Sequence, residues 1–135
     1  MRAELDQRLA ADSIHVAWLE PYIEVRLMDD QRFVWVLLIP LGADYVEPHD
    51  LPDITFRKLF DHARSLSAKL KQQTAADKIN MAVLGNHVSQ LHLHLIMRHA
   101  KDVAWPEPVW GKGQPIKMGD EDIIAARKLV QTALN

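Results

Sequence analysis

The chain lacks cysteine altogether, and it has neither a long hydrophobic run nor an excess of basic residues. Without cysteine among its 135 residues, disulfides, thiolate zinc sites, iron–sulfur clusters and cysteine nucleophiles are excluded. The longest strongly apolar stretch, residues 34–39, is far too short to span a bilayer. Because 16 Lys and Arg stand against 18 Asp and Glu, the composition also argues against binding a nucleic acid polymer along a basic surface.

The remaining composition is that of an ordinary globular domain. Hydrophobic residues make up 48% of the chain and charged residues 25%, with no internal repeat or flexible linker. A chain of this size can bury roughly two-thirds of the surface that its unfolded form exposes. Residues 1–8 carry charges where a signal peptide requires an apolar stretch. We therefore predict a single domain over residues 1–135, in the cytoplasm and without membrane contact.

The first third of the chain predicts a short helix followed by a β-hairpin. Apolar residues at helical spacing indicate a helix that an Asp-Ser pair interrupts at residues 12–13. Apolar and polar residues alternate over residues 22–28, which is typical of a half-buried strand. Residues 29–31 favour a turn, and the apolar run over residues 33–39 indicates a more deeply buried strand that pairs with the first.

The rest of the chain predicts a long helix, two further strands and a C-terminal helix. Five apolar residues form a stripe on the long helix: Leu59, Phe60, Ala63, Leu66 and Leu70. Strands are predicted over residues 79–84 and 90–97, whereas prolines exclude a regular helix from residues 104–111. Asp120 is the predicted N-cap of the final helix. The sum is an α+β fold, an antiparallel sheet with one long helix and a C-terminal helix.

Two histidines on the strand predicted over residues 90–97 are the strongest candidates for chemistry. Strand alternation places three leucines on one face, packed on the core, and Gln90, His92 and His94 on the opposite, outward face. Imidazole serves as a base, a nucleophile or a metal ligand. The pattern is compatible with three interpretations: two incidental surface histidines, one half of a metal site, or a catalytic pair. No third metal ligand is evident nearby, so a metal site ranks below catalysis.

The segment around these histidines resembles the signature of the histidine triad (HIT) family. That signature has three histidines separated by single apolar residues and followed by two apolar residues. Here the segment reads Gln90-Leu91-His92-Leu93-His94-Leu95-Ile96, with Gln in the first place. A Phe-x-Trp strand over residues 33–40, an Arg after the motif and the Trp-Pro-rich residues 104–111 extend the likeness to a bacterial HIT subgroup. The resemblance implies a HIT-like fold.

This resemblance implies a hydrolase or transferase that acts on nucleotides. In HIT enzymes the middle histidine attacks the α-phosphate of a nucleotide, and water then cleaves the nucleotidyl-histidine. By position, His92 is the nucleophile and His94 donates a hydrogen bond to a phosphate or leaving-group oxygen. The first histidine is a supporting residue, and the amide of Gln90 is expected either to fill that role or to be a plain surface residue at the start of the strand. The implied leaving group is an amine or a phosphate, as in phosphoramidates and dinucleoside polyphosphates.

Other residues are weaker candidates for contacts around the reacting phosphate. Asn86 and Ser89 lie in a turn before the histidines and are candidates for phosphate binding, although both residue types also occur in turns for structural reasons. Arg98 shares strand parity with the histidines and is a candidate for facing the phosphates. Trp105 and Trp110 are expected either to cover the site or to pack in the core.

Members of the family hold the base in an apolar cleft near the first hairpin and often contact the ribose through an acidic side chain. The resemblance therefore implies Asp29 or Asp30 as the acidic group, with Leu27 and Phe33 as walls, although the two aspartates are more simply explained as turn formers. It also implies a purine nucleotide or nucleotide conjugate as ligand, a homodimer, and neither a cofactor nor a metal. A nucleotide-binding module with little turnover and an unrelated His-x-His metal-binding protein are the alternatives.

Overall fold

The computed structural model describes residues 4–135, which form a five-stranded antiparallel sheet with helices on both of its faces. The strands are β1 (Ser13–Leu19), β2 (Ile23–Met28), β3 (Val34–Pro40), β4 (Lys78–Val83) and β5 (Leu93–Arg98). The helices are α1 (Gln7–Asp12), α2 (Asp53–Thr74) and α3 (Asp120–Leu134), and a short 3-10 helix spans Pro48–Asp50. The strand order is β1-β2-β3-β5-β4. The predicted α+β class is confirmed. The single-domain prediction over residues 1–135 stays a prediction, and residues 1–3 lie outside the described part.

Helix α2 covers one face of the sheet because its apolar residues recur at helical spacing. Four residues of the predicted stripe are buried, and Phe60 is partly buried beside them. Each fully buried leucine in this layer contributes roughly 2 kcal/mol. Helix α3 completes the layer through Val130 and Ala133. It begins at Asp120 with Gly119 as N-cap, so the predicted cap is one residue too late.

Strand β5 divides its side chains between the two faces of the sheet. Leu93 and Leu95 pack in the core under the helices, as predicted. His94 lies on the opposite face, where Ile96 packs in a second apolar cluster. Leu9 of α1, together with residues from the 104–111 segment, covers that second face. The expectation that the imidazoles face outward is therefore wrong, because two segments fold across them.

The hairpin of β2 and β3 is confirmed, but β1 is not predicted by the sequence pattern. The chain passes directly from α1 into β1, where only an interruption of the helix was expected. Strand β2 is also buried on both faces rather than half-buried. Its polar residues are buried because they pair with each other: Nη1 of Arg26 lies 2.6 Å from a carboxylate oxygen of Glu24. The alternation of apolar and polar residues predicted β2 correctly, but the strand is more buried than that alternation indicated.

Strand β5, which was predicted to begin at residue 90 and to carry both histidines, begins three residues later. Gln90 and His92 precede β5, which starts at Leu93. The backbone N–H of Leu91 donates to the carbonyl of Tyr45 at 2.9 Å instead of pairing with a neighbouring strand.

Within residues 4–135, no helix is both long and apolar enough to cross a membrane.

Candidate active site

His92 is held with one ring nitrogen available for reaction. Its Nδ1 lies 2.6 Å from the backbone carbonyl oxygen of Gln90. Because a carbonyl oxygen only accepts, Nδ1 carries the proton and Nε2 keeps its lone pair. The side chain is buried against its neighbours, which limits ring rotation. This is the tautomer that can attack an electrophilic phosphorus atom.

His94 is fixed in the other tautomer. The indole Nε1 of Trp35, which can only donate, lies 3.0 Å from Nδ1 of His94. Nδ1 therefore accepts, and the proton sits on Nε2, which donates to the carbonyl of Leu84 at 3.3 Å. This second bond is longer than a typical N–H···O bond. The Nε2–H group is thus the one best able to change partner to a phosphate oxygen.

The two imidazoles are packed among aromatic rings. The ring centroids of His92 and His94 are 4.7 Å apart, and Trp110 meets His94 edge-on at 5.1 Å. Burial, and after it repulsion from His92, lowers the pKa of His94 from 6.5 to about 4. His94 is therefore neutral at physiological pH and serves as a hydrogen-bond donor rather than as a cation.

The depressed pKa of His94 predicts that the fold loses stability in mild acid. Between pH 6.5 and about 4 the unfolded chain takes up a proton at His94 that the folded chain refuses. The free energy of unfolding should therefore fall by about 3 kcal/mol as pH drops through this range and should stay level above it. Urea denaturation at a series of pH values measures this slope. The matched variant His94→Asn keeps a donor and an acceptor but cannot titrate, so an unchanged slope in it would contradict the assignment.

The imidazoles line a cavity of about 330 Å³. Its polar wall includes Arg8 and Asn86 beside His92 and His94. A second cavity of about 440 Å³ adjoins the first. Five residues line both cavities: Asp12, Met28, Trp35, Trp110 and Gly111. The combined space is within the range of small-molecule sites, with apolar walls and a few convergent polar groups.

Gln90 does not join the imidazoles through its side chain. Its Oε1 accepts from the backbone N–H of Asp6 at 2.8 Å, and its Nε2 donates to the carbonyl of Glu4 at 2.8 Å. Only the main-chain carbonyl of Gln90 contacts His92. The expected role of the amide as a substitute for an active-site histidine is therefore corrected to that of an anchor for the N-terminal segment.

Arg98 is directed away from the cavity and has no face available for a phosphate. Its guanidinium binds Asp102 through two hydrogen bonds, of 2.9 Å and 3.0 Å, and Asn80 through a third of 2.9 Å. The ring of Trp105 lies 5.7 Å from its central carbon. Arg98 does lie on the same face of the sheet as His94, as predicted, but Asp102 and Trp105 from the following segment cover it. The phosphate-binding interpretation of Arg98 is corrected to a structural one.

The residues expected around the nucleoside are divided by the fold. Leu27 lies in the core under the helices, so it is no wall of the cavities, and the next residue, Met28, takes that place. Phe33 packs in the second cluster outside both cavities. Asp30 also lines the second cavity, but its carboxylate is occupied by the guanidinium of Arg32 and by the backbone N–H of Ile116. Asp29 lines the second cavity, where its Oδ1 accepts from a backbone N–H at 2.8 Å.

The turn residues and the two tryptophans also separate. Asn86 lines the imidazole cavity, whereas Ser89 lines a neighbouring cleft that His92 also borders. Trp110 covers the cavity, and Trp105 packs over a buried arginine instead. Within residues 4–135, no group of three His, Asp or Glu side chains converges as a metal site. The described residues therefore supply no third ligand for the metal-binding alternative.

Trp35 and Arg8 are two of the cavity residues that were not predicted from the sequence. Trp35 reaches His94 because β3 pairs with β5 in a register that sets Leu37 opposite His94, and no local pattern reveals that register. Arg8 lies in a helix of six residues that carries no motif. A Trp in an otherwise aliphatic strand was the one available signal, since a buried indole N–H needs an acceptor.

The fold and the site together define an α+β sheet domain with two buried, differently protonated histidines at a cavity of nucleotide size. A family model of the HIT domain matches residues 13–101. The chain belongs to the histidine triad family, whose members typically bind and hydrolyse nucleotides.

Solved structures support the same placement. A histidine triad protein from Bradyrhizobium japonicum is 36% identical, with a TM-score of 0.93 and 98% of each chain covered. One from Sinorhizobium meliloti is 37% identical, with a TM-score of 0.92, covering 97% of this chain and 96% of that one. One from Marinobacter aquaeolei is also 37% identical with a TM-score of 0.92, covering 97% and 95%. No curated protein matches the chain at a significant level.

Proposed function

We propose that the protein hydrolyses a nucleotide conjugate through a covalent intermediate on His92. The observation that carries this proposal is the free lone pair on Nε2 of His92, enforced by the bond from Nδ1 to the carbonyl of Gln90. Nε2 attacks the α-phosphorus and forms a phosphorus–nitrogen bond. The bond to the leaving group breaks, and the leaving group departs with the electron pair and takes a proton from solvent. Water then attacks the phosphorus, cleaves the phosphorus–nitrogen bond and releases a nucleoside monophosphate.

His94 supports this reaction as a neutral donor. Its Nε2–H turns from the long bond to Leu84 towards a phosphoryl oxygen, where negative charge builds in the transition state. Asn86, in the wall of the same cavity, is the proposed second donor. Because Trp35 holds the other nitrogen, His94 makes this donation without a change of protonation.

The adjoining cavity is the proposed place of the nucleoside. Met28, Trp35 and Trp110 give it apolar walls for a purine, and they also border the imidazole cavity, so a nucleotide can extend across both. Asp29 lines it with a carboxylate that uses one oxygen for a backbone N–H, which leaves the other for a ribose hydroxyl. With the nucleoside in this cavity, the α-phosphate is proposed to lie beside His92.

Mass spectrometry tests the proposed function directly. The protein is mixed with adenosine 5′-phosphoramidate or a diadenosine polyphosphate and quenched within one turnover. We expect an adenylyl adduct on the peptide that contains His92, together with release of AMP. Tight AMP binding without adduct or turnover would instead establish the alternative of a nucleotide-binding module.

We also propose that two copies join along β4. This strand lies at an edge of the sheet, and it ends in exposed apolar residues, among them Met81 and Val83. An exposed apolar edge is a template for pairing with another strand. Light scattering should give twice the 15.4 kDa of one chain, and Met81→Lys with Val83→Lys should give one chain. Ile124→Lys on α3 is the control that keeps the dimer. A wild-type mass of one chain would refute the dimer.

We also propose, from the composition of the chain, that the protein is located in the cytoplasm.

A further inference from the structure

One wall of the imidazole cavity comes from the chain that precedes the part matched by the HIT family model, and Trp110 and Gly111 come from the chain that follows it. That match begins at residue 13, yet Arg8, Leu9 and Asp12 line the cavity. We call residues 4–12 the N-terminal segment. Because this wall is additional to the matched domain, its side chains can adapt the common site to a particular substrate.

The N-terminal segment is fastened at both ends. At its start, the amide of Gln90 accepts from the N–H of Asp6 and donates to the carbonyl of Glu4, each at 2.8 Å. At its end, the carbonyl of Asp12 accepts from the backbone N–H of Asp29 at 2.9 Å. The side chain of Gln90 is suited to the first position because it offers a donor and an acceptor side by side.

Arg8 is the charged side chain that this segment brings to the cavity. Its Nη1 donates to the carbonyl of His87 at 3.0 Å, which ties α1 to the loop before the histidines. Among the described residues that line the cavity, Arg8 is the one permanent cation, and the structure gives it no ion pair there. His94 is neutral, since its pKa lies at about 4. The fixed positive charge of the cavity therefore comes from Arg8.

Arg8 lies at the end of the imidazole cavity from which a leaving group would depart. Arg8 lines the imidazole cavity but not the adjoining cavity proposed for the nucleoside. It is exposed, whereas His92 and His94 are buried. A substrate with its nucleoside in the adjoining cavity and its α-phosphate at His92 thus directs its leaving group towards the guanidinium. A phosphate there would gain a charge-assisted hydrogen bond, and an amine would not.

We propose that Gln90, by anchoring the N-terminal segment, positions Arg8 as a specificity-determining residue for nucleotides whose leaving group begins with a phosphate. Arg8 contacts the phosphate next to the one attacked, and the side chain of Gln90 acts only through Arg8, whereas its main-chain carbonyl orients His92. This proposal rests on the proposed function, because it takes the α-phosphate to lie at His92.

Calorimetric titration of AMP and ADP without divalent cations tests the proposal apart from turnover. We expect the wild-type protein to bind ADP about tenfold more tightly than AMP or better. Arg8→Gln should remove about tenfold or more of the ADP affinity and change AMP affinity less than twofold. Arg64→Gln, an exposed arginine on α2, is the matched control and should change neither. The proposal would be overturned if Arg8→Gln weakened AMP and ADP binding equally, or if it weakened neither. It would also be overturned if the wild-type protein bound neither nucleotide.

A double-mutant cycle tests the role of Gln90. Gln90→Ala should weaken ADP binding selectively, as Arg8→Gln does, and the double variant should lose no more than Arg8→Gln alone. Gln90→Glu, which keeps the acceptor for Asp6 but turns a carboxylate oxygen towards the carbonyl of Glu4, should weaken ADP binding at least as much as Gln90→Ala. Additive losses, or equal effects on AMP and ADP, would show that Gln90 does not act through Arg8.

Turnover separates this proposal from the proposed function. If ADP is preferred through Arg8 but His92 forms no adduct, the specificity proposal holds and hydrolysis fails. If His92 forms the adduct and Arg8→Gln slows cleavage of a diadenosine polyphosphate and of adenosine 5′-phosphoramidate equally, hydrolysis holds and the specificity proposal fails.

Discussion

The variant His92→Ala should hydrolyse nucleotide conjugates about 10³-fold more slowly than wild type, or slower still, and should form no adduct. Removing the ring removes Nε2, the atom that is proposed to form the bond to phosphorus. Binding of AMP should persist, because Asn86, His94 and the adjoining cavity remain. Steady-state kinetics with adenosine 5′-phosphoramidate, together with adduct detection by mass spectrometry, measures both effects.

Two controls make the result on His92 specific. His49→Ala changes a histidine whose side chain is 82% exposed and should leave the rate unaffected. Free imidazole added to His92→Ala should restore part of the rate, since it can enter the vacated space and attack phosphorus itself. A variant that retains more than a tenth of wild-type activity would show that His92 is not the nucleophile.

The variant Asp102→Ala should lower the free energy of unfolding by about 3–5 kcal/mol, which is a large part of the stability of a domain of this size. Arg98 is 1% exposed, and removal of Asp102 leaves its guanidinium charged and buried without a partner. The carboxylate also accepts from the backbone N–H groups of His99 and Ala104. The guanidinium of Arg98, and after it those backbone hydrogen bonds, hold the pKa of Asp102 well below its usual range. Urea denaturation at pH 7 measures the loss.

A second variant separates the buried charge from general damage. Replacing both partners, Arg98→Met with Asp102→Ala, should recover part of the stability because no unpaired charge remains. Glu107→Ala breaks an exposed pair with Lys112 and should leave stability nearly unchanged. If Asp102→Ala cost no more than Glu107→Ala, the ion pair of Arg98 would not stabilise the fold.

Local patterns in the sequence predicted those parts of the fold that depend on neighbours along the chain. The stripe on α2 and the alternation in β2 are such patterns, and both elements are present. The pair of His92 and His94 was also accessible, because a spacing of two places residues on one side of an extended segment. Their burial was not accessible, since it depends on how residues 104–111 and the N-terminal segment fold back over the sheet.

Contacts between distant parts of the chain account for most of the errors at the site. Trp35 and His94 are 59 residues apart, and their contact depends on the register of β3 with β5. Gln90 meets the backbone of Glu4 across 86 residues, so its role as an anchor has no local signal. Arg98 was misjudged for a related reason: parity placed it on the correct face, but only the fold shows Asp102 already bound to it.

The orientation of His92 by a backbone carbonyl has a consequence for how such sites can diverge. Every amino acid supplies that carbonyl, so the side chain at position 90 can change without disturbing the tautomer of the attacking ring. The first histidine of the triad is therefore open to substitution in a way that the second is not. Under the proposed mechanism, the orientation of the attacking ring depends on the path of the main chain before it and not on the side chain at position 90. A chain with a single substitution in its triad should not be taken for inactive on that ground.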